Sequence, residues 1–296
     1  MKIVVVGCNG QVGRALIHRG GSHGFKMLGV SKETLNITSK KMVYDVLRFQ
    51  KPDLLINAAA YTKVDLAEKE VDRAFEVNEK ALFYLSEYCK TSNIPLFHLS
   101  TDYVFDGKIN YPYKELDSVS PISVYGKSKE AGECAVRKLL TQHIILRTSW
   151  VFSAHGSNFV KSILSKGIEQ DIINVVTDQY GGPTSADGIA DTLLTIASQY
   201  NLIGKLEWGT YHYSGYPYVS WYEFAEEIFR GALAINIVKK IPTIKPLLSS
   251  AHSAIASRPR NSRLDCSKIY KNFGISMDNW KVRLLEFLDI YEDKKQ

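Results

Sequence analysis

The chain begins with a strand, a glycine turn and a helix in immediate succession, and no other stretch restricts its fold as much. Lys2-Ile3-Val4-Val5-Val6 is a short β-branched run, the pattern of a buried parallel strand. Gly7-Cys8-Asn9-Gly10-Gln11-Val12-Gly13 follows, and the pattern then predicts a helix from about Gln11 to Arg19. In this G-x-x-G-x-x-G spacing Gly7 permits the tight turn, Gly10 lets the backbone approach a pyrophosphate, and Gly13 lets the helix pack on its strand. The free N–H groups and partial positive charge of the helix start favour such an anion.

The next segments extend this beginning into an alternating α/β chain. Met27 to Val30 reads as the second strand, and it runs into Ser31-Lys32. NAD sites usually place an acid there to hold the adenosine ribose, whereas a hydroxyl and a cation suit a 2′-phosphate. NADPH is therefore expected, with NADH left open because Glu33 is close by. A helix over Ser39 to Phe49 ends at Lys51-Pro52, and Leu54 to Asn57 is the next strand. The small residues Ala58-Ala59-Ala60 would let a cofactor lie against that strand end. An amphipathic helix within Val71 to Cys89 puts Ala74, Val77, Ala81 and Leu85 on one face. Asn78 interrupts that face, either as a surface amide or as a hydrogen-bonding brace near the sheet.

Leu96 to Leu99 is a further strand, with Ser100-Thr101-Asp102 at its carboxyl end. Ligands of open α/β sheets bind outside the carboxyl ends of the strands, which aims the Thr101 hydroxyl at a substrate oxygen. The same triplet could cap a helix, but the apolar residues and Gly107 that follow do not resemble one. A helix of roughly Ser123 to Lys138 carries Tyr125 and Lys129, four residues apart and so on one face. A free phenol, with a pKa of about 10, is a poor acid at neutral pH. An ammonium beside it favours the phenolate, and the pair could then exchange a proton with an oxygen held between them. Alone, Y-x-x-x-K is also what an exposed aromatic beside a solvated lysine looks like. His143 to Arg147 is the next strand and leads into Thr148-Ser149-Trp150, where the tryptophan is either a stacking wall or a partly buried aromatic.

After residue 150 the segments become shorter and richer in turns. Asn158-Phe159 opens a helix, Val175-Val176 begins a strand and turn cluster, and Ser185 or Asp187 caps a helix to about Gln199. Gly209 to Ser214 is a strand, and Ser220-Trp221-Tyr222-Glu223 is a capping box for a helix through Phe229. The loop Arg258-Pro259-Arg260-Asn261-Ser262-Arg263 carries three guanidiniums, as a solvated basic loop or as a clamp on a diphosphate. An amphipathic helix with Trp280, Leu284, Leu285 and Leu288 ends the chain.

Composition narrows the class. The four cysteines are scattered without a C-x-x-C pair and read as reduced thiols of a cytoplasmic protein. No His or Cys cluster has zinc-ligand spacing, so no metal is expected. No apolar run approaches the roughly 20 residues that span a bilayer, and the N-terminal strand lacks the longer apolar core of a signal peptide. The formal charge of +6 comes without an arginine-rich block, so an anionic small substrate is expected rather than nucleic acid.

Together these motifs resemble the extended short-chain dehydrogenase/reductases, and within them the dTDP-4-dehydrorhamnose reductase family. The resemblance runs through nearly the whole chain. It rests on the glycine turn with Gln11, Asn57 to Asp65, Ser100 to Gly107, Tyr125-Gly126-Lys127-Ser128-Lys129 and Arg147 to Val151. Asp178 to Thr184, Ser220 to Ala225 and Arg258 to Ser262 complete it, and the tryptophan and these later motifs are the more particular to the family. It implies reduction of a dTDP-4-keto-6-deoxy sugar by NADPH or NADH, for cell-surface polysaccharide synthesis, in a monomer or homodimer. Tyr125 would protonate the C4 oxygen, Thr101 would bond the same oxygen, and Lys129 would hold the nicotinamide ribose and tune Tyr125. Gly7, Gly10, Gln11, Val12, Gly13, Ser31, Lys32, Asn36, Ile37, Ala59, Ala60, Tyr61 and Thr62 would line the cofactor. Asp102, Val104, Trp150, Asn158, Arg258 and Asn261 would contact the sugar nucleotide. Some members form a magnesium-bridged dimer through an acid just after the glycine turn; Ala15 stands there, so neither that metal nor that dimer is expected.

The expected fold is a Rossmann-type doubly wound parallel sheet with a smaller α/β substrate-binding lobe. Residues 1–150 would form the former, with 185–208 packing back onto it, and 151–184 with 209–296 the latter. Rivals on this fold are a nucleotide-sugar epimerase or dehydratase, or a non-catalytic NADP-binding regulatory subunit like that of methionine adenosyltransferase. The usual Glu beside the acid of a dehydratase is missing after Asp102.

Overall fold

A computed structural model describes residues 1–251 and 254–293. Its centre is a six-stranded, all-parallel sheet. In chain order the first five strands are β1 (Lys2–Val6), β2 (Lys26–Val30), β3 (Leu54–Asn57), β4 (Leu96–Thr101) and β5 (His143–Thr148). Across the sheet the order is Gly209–His212, β5, β4, β3, β1, β2. Successive strand residues face opposite sides, so Ile3 and Val5 feed one apolar cluster and Val4 and Val6 the other.

The first cluster is closed by Gln11–Gly20, the first helix (α1), together with Ala186–Ile203 and Ser267–Phe273. The helices Lys40–Gln50, Ala81–Ser92 and Val124–Leu139 cover the second. A third cluster lies away from the sheet. There Phe152, Val160, Ile173, Phe224 and Trp280 join the helices Phe159–Glu169, Trp221–Ala234 and Trp280–Asp293 to the strand pair Ile172–Val176 and Thr243–Leu247.

Helix starts fall where the sequence puts its caps. Ser39, Ser123, Asn158, Ser185 and Ser220 each accept a hydrogen bond from a backbone N–H of the turn they precede. Ser220 and Glu223 form both arms of the capping box.

Two expectations change. Gly209–His212 was assigned to the smaller lobe, yet it pairs with β5, Gly209 opposite Ile144 through His212 opposite Arg147. Its buried Tyr211 and the Tyr213 beyond it belong to the cluster under α1. A strand's own residues do not state which sheet receives it. The long helix within Val71 to Cys89 is also not uniform: Val71–Phe75 passes through a π turn at Glu76–Lys80 before Ala81–Ser92. Asn78 sits in that turn, fully buried. Among the described residues no helix is long and apolar enough to cross a membrane.

Candidate active site

A cleft of about 970 Å³ runs along the carboxyl ends of the strands. The glycine turn forms its floor. Gly7 has φ +79°, and a Cβ there would meet the Ala59 backbone at 2.7 Å. A Cβ at Gly13 would stand 2.2 Å from the Gly7 carbonyl oxygen, so that glycine lets α1 close on β1. Gly10 has open space beyond its own turn, and no side chain caps α1. Gln11 and Val12 line the cleft beside it.

Ser31, Lys32, Asn36 and Ile37 form one end of the cleft, with Ala59, Ala60, Tyr61 and Thr62 along its side. Lys32 is exposed, while the Ser31 hydroxyl donates to Glu33. The Asn36 amide oxygen is taken by Thr38. Asn78 is a brace: its Oδ1 accepts from Tyr61 N at 2.8 Å, and its Nδ2 donates to Tyr61 O and to Ser128 Oγ. Ser128 Oγ donates in turn to Tyr125 O, tying the cleft wall to the Tyr125 helix. The π turn fits because Gly132 has no Cβ, which would otherwise stand 2.0 Å from Asn78 O.

Tyr125 and Lys129 both line the cleft. Burial pushes the Tyr125 phenol up, Thr101 beside it pulls down, and Asp102 adds to the rise. Lys129 Nζ turns to the sheet, donating to Leu99 O at 2.7 Å and lying 3.3 Å from His98 Nε2. Burial lowers Lys129 to about 8, against the pull of Glu133. Asp102 is buried, and burial raises it to about 6 against the hydrogen bonds of Ser262 and Thr101.

Of the other residues expected to meet substrate, three are engaged elsewhere. Val104 is wholly buried with Phe105, Tyr113 and Leu264, because the turn after β4 folds inward. Asn158 caps its helix through Oδ1, and its Nδ2 donates to Ser153 O and Gln11 Oε1. Asn261 pins Ile109 O and Tyr111 O with its Nδ2 and accepts from Arg263 with its Oδ1. The guanidiniums do not form one clamp. Arg258 pairs with Asp65 at 2.6 Å, Arg260 faces Asp178, and Arg263 binds Asn261 and Asn110. Trp150, with φ +49°, stacks on Trp221 at 3.5 Å and 9°, so one face of its ring is already covered.

Sequence reasoning passed over Asn57, His98, Glu133 and Trp221. Glu133 stands one turn beyond Lys129, fully buried, and accepts from Arg147, Arg137 and Ser100. The i, i+4 spacing to Lys129 was its one available signal.

The family model described as RmlD substrate binding domain matches residues 1–292. A dTDP-4-dehydrorhamnose reductase of Aggregatibacter actinomycetemcomitans is 42% identical over 96% of this chain and 97% of its own. The chain belongs to the dTDP-4-dehydrorhamnose reductase family. Solved dTDP-4-dehydrorhamnose reductases superpose on it throughout. That of Clostridium acetobutylicum has a TM-score of 0.91 at 33% identity, covering 99% of this chain and 100% of that one. That of Bacillus anthracis, in complex with NADP, has 0.89 at 33% identity, covering 97% and 98%.

For a dTDP-4-dehydrorhamnose reductase family member the cleft has the features a dinucleotide requires. The uncapped start of α1 offers N–H groups to a pyrophosphate, and Gly10 leaves the room that a Cβ would fill. Exposed Lys32 at the end of β2 suits a 2′-phosphate.

Proposed function

We propose that the protein reduces the C4 keto group of dTDP-4-dehydrorhamnose to give dTDP-L-rhamnose, with NADPH as the favoured cofactor and NADH as an alternative. The product would serve cell-surface polysaccharide synthesis, and the reaction would take place in the cytoplasm. One observation carries the reading. The Tyr125 and Thr101 side chains meet at the carboxyl end of β4, and Tyr125 lines the same cleft as the glycine turn.

The glycine turn, Ser31, Lys32, Asn36 and Ile37 would hold the cofactor's adenosine end, and Ala59, Ala60, Tyr61 and Thr62 its middle. The bound reduced nicotinamide supplies the hydride. Tyr125 donates its phenolic proton to the C4 oxygen, and its raised pKa keeps that proton in place until negative charge develops there. The Thr101 hydroxyl donates to Asp102 Oδ1 in the free protein and its oxygen accepts from Tyr103 N; with substrate bound it would turn its proton to the same oxygen and steady it. Lys129, which lines the cleft and is anchored by Leu99 O beside His98, would donate to a ribose hydroxyl. Asp102 would accept from a sugar hydroxyl, and Trp150, held between Trp221 and Gly181, would present its edge to the sugar or base. Arg258 would exchange Asp65 for a substrate phosphate.

Incubation with dTDP-4-dehydrorhamnose and NADPH should lower the absorbance at about 340 nm, the band of reduced nicotinamide. Product analysis should find dTDP-L-rhamnose. Tyr125→Phe should remove turnover and keep NADPH binding; normal turnover by that variant refutes the assignment. An epimerase or dehydratase would consume no net cofactor.

A further inference from the structure

One buried hydroxyl at the cleft wall is left out of the hydrogen bonding around it. Thr148 ends β5, lines the cleft and is 6% exposed, and its Oγ1 has no hydrogen-bond partner among the described residues. The hydroxyls on either side are taken. Ser149 Oγ donates to Gly182 O, while Thr101 Oγ1 donates to Asp102 Oδ1 and accepts from Tyr103 N. Buried polar groups are nearly always paired, so an orphan on a cleft wall points to a partner that arrives with the ligand.

The position of Thr148 narrows which part of a ligand that is. It is the register partner of Thr101 on the adjacent parallel strand, so the two side chains stand on one face of the sheet. Leu146, two residues earlier, faces the apolar cluster under α1, and Thr148 carries that face out into the cleft. The reductase reading sets the C4 carbonyl between Tyr125 and Thr101. Hydride transfer brings the reactive ring carbon to about 3–3.5 Å from the carbonyl carbon, which sets the nicotinamide at the end of β4. Its carboxamide is borne by the ring carbon next to the reactive one. Turned toward β3, the carboxamide would meet Ala58-Ala59-Ala60, whose side chains offer no hydrogen bond. Turned toward β5, it would meet Thr148, one strand spacing or about 4.8 Å across. The pyrophosphate is out of reach, because the glycine turn follows β1, three strand spacings or about 14 Å from β5.

We propose that Thr148 binds the carboxamide of the nicotinamide and so sets which face of the ring is turned to the sugar. The placement of the ring rests on the reductase reading above. A carboxamide has an acceptor oxygen and a donor NH2, and a hydroxyl can meet either. In the free protein Oγ1 is shielded from water, and a turn about χ1 exchanges hydroxyl and methyl, which brings the polar group to the cleft without backbone movement. A held carboxamide stops rotation about the bond from ring to ribose, the motion that would exchange the two faces.

The test reads binding, without sugar and without turnover. One probe is NADPH, followed by its nicotinamide fluorescence. The other is 2′-phospho-ADP-ribose, which lacks the nicotinamide and is followed by calorimetry. Thr148→Val keeps the shape of the side chain and removes the hydroxyl. It should weaken NADPH about five- to tenfold, the effect of one lost hydrogen bond, and leave 2′-phospho-ADP-ribose unchanged. Thr148→Ser, which keeps the hydroxyl, should bind both probes as the unmutated protein does. Because Oγ1 has no partner among the described residues, ligand-free Thr148→Val should melt no lower than the unmutated protein. Unchanged NADPH affinity in Thr148→Val overturns the proposal, and a raised KM for the sugar alongside it would assign the hydroxyl to the substrate. Equal weakening of both probes, or a melting temperature lowered by several degrees, overturns it too, since the hydroxyl would then act elsewhere on the cofactor or inside the fold. Should the unmutated protein bind NADPH and not reduce the sugar, the reductase reading fails while the difference between the two probes still stands. Should it reduce the sugar and show no such difference, only the proposal fails.

Discussion

Glu133→Gln removes the buried anion on which three elements of the site converge. The carboxylate is 0% exposed and accepts two hydrogen bonds from Arg147 on β5, one from Arg137 on its own helix and one from Ser100 on β4. Burial pushes its pKa up, but Arg147 first, then Ser100 and Arg137, hold it at about 2 against the ordinary 4.5. At about 1.4 kcal/mol per pH unit, that depression corresponds to roughly 3 kcal/mol of stability. The sign follows from the direction. A carboxylate with a depressed folded pKa contributes fully above its unfolded value, and the contribution is lost as pH falls through the folded one. Glutamine has no such titration, and it leaves Arg147, with a side chain 3% exposed, without its counter-ion. Urea unfolding followed by tryptophan fluorescence should therefore show the variant about 3–5 kcal/mol less stable at neutral pH. The gap should narrow once the pH drops below 4.5 toward 2. Replacing both partners, Glu133→Leu with Arg147→Met, should recover much of the loss, because no buried charge is then left unpaired. A gap that stays constant from neutral to acid pH refutes the reasoning.

Three further outcomes follow from the site. Thr101→Val should lower kcat by about 100-fold, the effect of losing one donor to a developing alkoxide, with cofactor affinity kept; unchanged kcat in stopped-flow assays contradicts the role. Lys32→Ala should raise KM for NADPH about tenfold and leave KM for NADH nearly unchanged, as a phosphate contact would require. Gly13→Ala should lower the melting temperature and abolish its rise with NADPH, since the added Cβ stands 2.2 Å from Gly7 O, whereas Gly10→Ala, with 3.3 Å to the same atom, should fold normally and lose only cofactor affinity.

The first five strands and the caps were legible because their signals are local. A β-branched run, a Ser three residues before a free N–H, or a glycine at a close approach is a property of a few adjacent residues. What was not legible depends on partners far along the chain. Asn261 and Asn158 look like ligand-facing amides, yet the carbonyls of Ile109, Tyr111 and Ser153 use them up. The arginine loop reads as a cluster only in sequence, since Asp65, Asp178 and Asn110 draw its three guanidiniums apart. Trp150 is half of a stack whose other member, Trp221, is 71 residues away and looked like part of a helix cap. Buried polar groups must be paired wherever their partners lie, and a linear reading does not show where that is.

Tyr125 and Lys129 make the same point at the centre of the site. Helical spacing brings their backbones to one face, and that alone suggested a phenol tuned by its neighbouring ammonium. The side chains instead divide: Tyr125 meets Thr101, while Lys129 is drawn to Leu99 O and His98 on β4. Two requirements are met at once. Burial holds the phenol toward its protonated form, and the lysine is fixed by the sheet. Four-residue spacing lets one helix present both along one cleft. The residues that each side chain meets, Thr101 for the phenol and Leu99 with His98 for the lysine, lie on a strand that the motif does not mention.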